Sequence, residues 1–103
     1  GGGVLDKPTI GFDVDKDVRR QKKQPPKYRV LLHNDNFNRR EYVVQVLMKV
    51  IPDMTVDLAV NIMQEAHVNG MAMVIVCIQS EAEEYCECMR ANGLVSSIEP
   101  DGG

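Results

Sequence analysis

The sequence predicts a single α+β domain with its elements in the order β-α-α-β-α-β, preceded by a flexible N-terminal arm. A length of 103 residues leaves room for one hydrophobic core. Three short apolar runs have strand length, and three longer segments place their apolar residues at helical spacing. Three strands suffice when one face of the sheet packs on helices. The pattern alone leaves strand order and strand direction open.

The N-terminal arm is predicted over residues 1–26, and the core domain over residues 27–100. The arm has no sustained apolar period and ends at Pro25-Pro26. Such a segment buries too little apolar surface to offset the entropy of ordering it. The charge changes at the same place, since residues 1–27 carry a net +3 and residues 28–103 a net −6.

The three strands are predicted over residues 28–32, 71–78 and 94–99, each rich in β-branched or other apolar residues. The polar cluster His33-Asn34-Asp35-Asn36 ends the first strand. Asn92-Gly93 separates the third helix from the last strand. The chain ends in a short polar tail after residue 99.

The three helices have start and stop signals. Asn38 with Glu41, and Ser80 with Glu83, each match a capping box for the first and third helices. Thr55 is the predicted cap of the second helix, which Asn69-Gly70 ends. Pro52 ends the first helix.

Composition excludes several classes of function. The net charge of −3 argues against nucleic acid as a partner, because binding to phosphates needs a basic surface. No apolar run is long enough to cross a bilayer. Three cysteines are an odd number, which favours a reducing compartment over a disulfide scaffold.

Metal binding and cysteine catalysis find little support. His33 and His67 match no short ligand motif, and the chain has no CxxC sequence. Cys86 and Cys88 are two residues apart on a helix and point to different sides. Cys77 falls inside a buried strand, where a thiol behaves as a small hydrophobe. We therefore expect no metal, no cofactor and no enzymatic activity.

The polar cluster after the first strand has two interpretations. It is either a turn with a helix entry, or part of a binding site if a second element brings further polar groups to it. His67, at the end of the second helix, is the candidate for that element. Met63, four residues earlier, is the candidate wall of an adaptable apolar pocket.

Two blocks of the sequence resemble the ClpS adaptor family. The first runs from Pro25 through Leu32-His33-Asn34-Asp35-Asn36-Phe37 and continues in Glu41-Tyr42-Val43, and the second is Ala66-His67-Val68-Asn69-Gly70-Met71-Ala72. The resemblance covers about residues 25–99 without a large gap. The arm and the variant helix entry at Asn38 are most similar to the plastid branch.

The resemblance implies a three-stranded antiparallel sheet packed against three helices, similar to the C-terminal domain of the ribosomal stalk protein. It implies a monomeric, non-enzymatic adaptor without a cofactor. Such adaptors bind proteins whose first residue is Phe, Tyr, Trp or Leu, and deliver them to the N-domain of a Clp AAA+ unfoldase of the ClpC or ClpA type. The implied location is the chloroplast stroma, with the bacterial cytoplasm as the alternative, and neither nucleic acid nor membrane is a partner.

The resemblance also assigns site residues. The ligands of the substrate α-amine fall on Asn34, Asp35 and His67. The side-chain pocket falls on Leu32, Val43, Met63, Ala66 and Leu94. The gate at the pocket rim falls on Arg40, Asn36 and Asn38. The unfoldase-docking face falls near the second strand and third helix, where this chain has Ser80, Glu81, Glu83, Glu84 and Tyr85.

The main departure from the family is Arg40, because this gate position is commonly Met in bacterial members. A guanidinium can lie over an aromatic ring, an interaction worth about 0.5–2 kcal/mol. The sequence therefore suggests a preference for Phe, Trp or Tyr over Leu. The alternative function is a generic protein-interaction module of the same shape without an amine pocket.

Overall fold

The computed structural model describes residues 25–102 and confirms the β-α-α-β-α-β order. Residues 1–24, which hold most of the predicted arm, lie outside the described residues. The division of the chain at residue 26 stays a prediction. The elements are β1 (Lys27–His33), α1 (Arg40–Val50), α2 (Val56–Asn69), β2 (Met71–Ile78), α3 (Gln79–Ala91) and β3 (Ser96–Pro100).

The sheet has the strand order β2-β1-β3, and both pairings are antiparallel. The antiparallel arrangement implied by the family resemblance is therefore confirmed. Val30 of the central strand pairs with Ile75 on one side and Ile98 on the other. Because β1 is held from both sides, the loop that leaves it after His33 starts from a fixed point.

The core lies between the sheet and the three helices. α2 and α3 contact the strands, and α1 packs against α2 and α3. Leu47 of α1, Met89 of α3 and Val30 of β1 are fully buried in this core. The buried residues of α2 are Ala59, Ile62 and Ala66, which have the predicted helical spacing. No helix within residues 25–102 is long and apolar enough to span a bilayer.

The predicted boundaries of α2 are confirmed. The amide of Leu58 donates to the Thr55 hydroxyl at 3.2 Å, which is the expected N-cap bond. Gly70 ends the helix with a φ of 88°, a left-handed conformation that glycine adopts without steric cost. α1 ends at Val50, two residues before Pro52.

Both predicted capping boxes are wrong. Arg39 is the N-cap residue of α1, and its side chain makes no capping bond. Asn38 lies one residue before this cap, and its side-chain Nδ2 atom donates to Asp35 and to the Gly93 carbonyl. α3 begins directly at the end of β2, which makes Ser80 the second residue of the helix rather than its cap.

The last strand starts two residues later than the sequence predicted, at Ser96 rather than Leu94. The amide of Leu94 donates to the Met89 carbonyl at 3.0 Å, which keeps Leu94 in the turn that closes α3. Leu94 is buried there, with 4% of its surface exposed.

Candidate functional site

A cavity of about 190 Å³ opens where β1 ends, beside the start of α1 and the last turns of α2. Its walls therefore come from two segments of the chain, residues 32–43 and residues 63–67. The lining residues are Leu32, His33, Asn34, Asp35, Asn36, Asn38, Arg40, Val43, Met63, Ala66 and His67.

The cavity brings together all but one of the residues that the sequence analysis assigned to a site. The three amine-ligand candidates, the three gate candidates and four of the five pocket candidates line it. Leu94 is not among the lining residues, and it is buried in the hydrophobic core at the turn that follows α3.

Asp35 folds the loop and also faces the cavity. Its Oδ1 atom accepts hydrogen bonds from the backbone amides of Phe37 at 2.9 Å and Asn38 at 2.7 Å. This is an Asx-type turn, in which a short acidic side chain replaces a backbone acceptor. The Oδ2 atom has only the Asn38 side-chain amide, at a long 3.3 Å. One carboxylate oxygen thus holds the turn, and the other keeps lone pairs available for a ligand.

The environment of Asp35 keeps it ionised. Burial by itself would raise the pKa of this carboxyl group, but hydrogen bonds from Asn38 and the Phe37 amide outweigh it, and the net pKa is lowered. The negative charge at the cavity therefore persists to a pH below the usual range for an aspartate.

Two hydrogen bonds to backbone carbonyls fix the loop relative to α2 and α3. The Asn34 amide donates to the Gly70 carbonyl at 3.0 Å, next to the end of α2 that carries His67. The Asn38 side-chain amide donates to the Gly93 carbonyl at 2.7 Å, beyond the end of α3. These two contacts place Asn34, Asp35 and His67 around one opening.

Arg40 contacts His67 across the cavity rim. The guanidinium Nη2 atom lies 2.8 Å from the Nε2 atom of His67. Arginine is only a donor, so the imidazole nitrogen must be the acceptor in this contact. A neutral imidazole has a single acceptor nitrogen. In this contact, therefore, Arg40 occupies the one lone pair that His67 can offer.

The inner walls of the cavity are apolar. Leu32, Val43 and Ala66 are all buried, with at most 8% of their surface exposed, and half-buried Met63 completes this side. The polar groups lie on the loop and at the rim. The site can therefore take an apolar group inside and a cationic donor at its edge.

Two features of the cavity lay beyond the sequence analysis. His33 lines the cavity and bonds through Nε2 to the Ser97 hydroxyl at 2.7 Å, although no site role was assigned to it. Its position beside Asn34 was the only sequence signal. The Arg40–His67 contact joins residues 27 positions apart, and nothing in local spacing indicates it.

The cysteines lie apart from the cavity. Burial, with a smaller contribution from the charge of Glu81, raises the pKa of the Cys77 thiol, so this group stays protonated. Cys86 is buried and Cys88 is exposed. Within residues 25–102, no three His, Cys, Asp or Glu side chains are grouped to hold a metal ion.

The start of α3 presents an acidic surface away from the cavity lining. Ser80, Glu81, Glu83 and Glu84 are exposed, and Tyr85 is half-buried. Burial, followed by the neighbouring charge of Glu81, raises the pKa of the Tyr85 phenol. These residues belong to the region that the resemblance associates with unfoldase docking.

A family model described as "ATP-dependent Clp protease adaptor protein ClpS" matches residues 23–97. Among solved structures, this chain is similar to Agrobacterium tumefaciens ClpS2 bound to L-phenylalaninamide, with a TM-score of 0.69 and 34% identity. That alignment covers 76% of this chain and 100% of the ClpS2 chain.

Curated relatives include two chloroplastic proteins named ATP-dependent Clp protease adapter protein CLPS1. The one from Arabidopsis thaliana is 68% identical over 100% of this chain and 68% of its own length. The one from Chlamydomonas reinhardtii is 57% identical over 98% of this chain and 62% of its own length. The chain thus spans about two thirds of the full length of each chloroplastic relative. The ClpS adapter of Synechococcus elongatus is 57% identical over 79% of this chain and 85% of that protein.

The match to the family model covers most of the chain, and the two chloroplastic relatives align along nearly all of it. They confirm the expected chloroplast location over the bacterial alternative. This chain therefore belongs to the ClpS family of ATP-dependent Clp protease adaptor proteins, in its chloroplast branch.

Proposed function

We propose that this protein is a non-enzymatic adaptor of the chloroplast stroma that binds the free N-terminus of proteins beginning with a bulky hydrophobic residue. The observation that carries the proposal is a cavity with buried apolar walls and a carboxylate, an amide and an imidazole at its opening. The ClpS2 structure of Agrobacterium tumefaciens holds L-phenylalaninamide, which has both a free amine and an aromatic side chain. That ligand has the two chemical features that this cavity suits.

The substrate ammonium has three donors and needs three acceptors. Asp35 offers Oδ2, which has only one long protein contact. Asn34 offers its side-chain carbonyl, and His67 offers one ring nitrogen. His67 can accept from the ammonium only after Arg40 gives up that lone pair, so substrate binding exchanges one cationic donor for another.

The apolar walls select the first side chain. Burying a large hydrophobic side chain contributes about 1.5–3 kcal/mol. A charged first residue would lose its hydration against Leu32, Val43 and Ala66 without gaining a partner there. The amine ligands therefore recognise a chain end, and the cavity recognises which residue it carries.

The central test compares a peptide that begins with Phe with its N-acetylated twin. Acetylation removes the positive charge and adds bulk, so we expect binding to weaken by about 30-fold or more.

Asp35→Asn should weaken binding of the free peptide by about 10- to 150-fold. Fluorescence anisotropy measures both effects.

Asn at position 35 can still accept the two backbone hydrogen bonds through its amide oxygen, so the loop should remain folded. A melting temperature close to the wild-type value checks this point. Equal affinity for the free and acetylated peptides would instead support a generic interaction module without an amine pocket.

Substitution separates the two cavity histidines. His67→Gln moves the acceptor away from the position of the imidazole nitrogen, so this variant should bind the Phe peptide more weakly than wild type. His33→Gln removes the other histidine and should bind the peptide about as tightly as wild type. A wild-type affinity in His67→Gln, measured by the same anisotropy titration, would remove His67 from the ligand set.

Arg40 should favour an aromatic first residue over Leu. The guanidinium, once released from His67, can lie over a ring, and it offers a branched aliphatic side chain little. We expect peptides beginning with Phe or Trp to bind about 2- to 30-fold more tightly than those beginning with Leu. Titrations of wild type and Arg40→Met measure the difference, which should shrink in the variant. Equal affinities for Phe and Leu in the wild type would contradict this role.

For delivery, we propose that the protein acts as a monomer and contacts the N-domain of a ClpC- or ClpA-type unfoldase through the exposed residues at the start of α3. The membership of the chain in a Clp protease adaptor family supports a Clp partner. The arm before Lys27 is proposed to help transfer the substrate, because it carries much of the positive charge of the chain.

Deletion of residues 1–24 tests the proposed transfer role. Among residues 25–102, those that line the cavity all fall between positions 32 and 67, so affinity for a Phe peptide should stay within about twofold of wild type. Degradation of a Phe-initiated reporter by the Clp unfoldase and protease should slow markedly. Unchanged degradation by the truncated adaptor would show that the arm has no part in transfer.

A further inference from the structure

We propose that Arg40 also selects the second residue of the substrate, and that it favours Asp or Glu at that position. The inference rests on the proposed binding of a chain end in the cavity. It is carried by the 2.8 Å contact between the exposed Arg40 guanidinium and His67, one of the three amine-ligand candidates. Arg40 therefore lies beside the point where the substrate chain begins.

Substrate binding frees the guanidinium close to the substrate. A neutral His67 has a single ring-nitrogen lone pair, and Arg40 occupies it in this structure. An ammonium that bonds to His67 must displace this donor. The Arg40 side chain is then at the cavity mouth without its former acceptor, and it also lines the open groove between α1 and α2.

The second residue of the substrate is within reach of Arg40. Two donors that each contact the same imidazole at about 3 Å lie within about 6 Å of each other. Successive Cα atoms are about 3.8 Å apart, so the second Cα lies about 5 Å from the substrate amine. A carboxylate side chain at that position can meet the guanidinium without any movement of the backbone of α1.

The charges around Arg40 leave it available. Within residues 25–102, the ion pairs join Arg29 to Glu99 and to Asp101, and none involves Arg40. The Oδ1 atom of Asp35 accepts from the loop amides, and its Oδ2 atom is the proposed acceptor for the ammonium. Glu41, the next residue of α1, lines the groove between α1 and α2. A substrate carboxylate can therefore form a two-pronged pair with Arg40.

Repulsion between the substrate ammonium and the Arg40 guanidinium strengthens the preference for an acidic second residue. A bound ammonium and the Arg40 guanidinium repel each other at this separation, and a carboxylate on the second residue offsets that repulsion. Lys or Arg at the second position adds a third positive charge. The expected order of affinity is therefore acidic, then neutral, then basic.

The test uses three peptides that begin with Phe and differ only in Asp, Ala or Lys at the second position. For the wild-type protein, we expect Asp to bind about 2- to 10-fold more tightly than Ala, and Lys more weakly than Ala. The differences in affinity among the three peptides should become smaller as salt is added. Arg40→Met should remove the preference for Asp, because Asp35 is then the dominant charge facing the peptide.

Arg39→Met is the matched control. It removes the same charge one residue earlier, from a side chain that is exposed and does not line the cavity, and it should keep the wild-type order. An identical order in wild type and Arg40→Met, or no order in the wild type, would overturn the inference. If the Phe-Ala peptide binds but Asp at the second position does not increase the affinity, only this inference fails. If the free and acetylated Phe-Ala peptides bind with equal affinity, both this inference and the proposed function fail.

Discussion

The site depends on the different hydrogen-bonding roles of the two carboxylate oxygens of Asp35. Oδ1 accepts from two backbone amides and so holds the loop between β1 and α1 in shape. Oδ2 has one long contact, and Asp35 lines the cavity. A single charged side chain therefore both forms the loop and presents the negative charge that a cationic ligand would need. The surrounding donors lower its pKa, so the charge is stable over the physiological pH range.

The rest of the fold places other groups around this carboxylate. The central strand β1 starts the loop from a fixed point, and bonds to the Gly70 and Gly93 carbonyls tie it to the ends of α2 and α3. The buried stripe of α2 supplies an apolar wall in Ala66, and the next residue, His67, projects at the rim. The packed strands and helices therefore hold a few exposed polar groups in fixed positions relative to one another.

Much of this architecture could be predicted from the sequence, because local signals determine it. The polarity pattern gives the element order, and Thr55 and Gly70 mark the limits of α2 where they are observed. The capping predictions were wrong because each helix starts at a different residue from the one that the spacing indicates: Arg39 is the N-cap of α1, and α3 follows β2 directly. The Asn38 side chain donates instead to Asp35 and to the Gly93 carbonyl, 55 residues away. The burial of Leu94 and the Arg40–His67 contact depend on tertiary packing, which local spacing does not contain.

A crystal structure of this protein with L-phenylalaninamide tests the central claim most directly. We expect the ligand ammonium within hydrogen-bonding distance of Asp35 Oδ2, Asn34 and His67, with the ring between Leu32, Val43 and Ala66. Oδ1 should still accept from Phe37 and Asn38, and Arg40 should no longer bond to His67. A ligand bound elsewhere, or an ammonium that makes no contact with Asp35, would contradict the division of roles between the two oxygens.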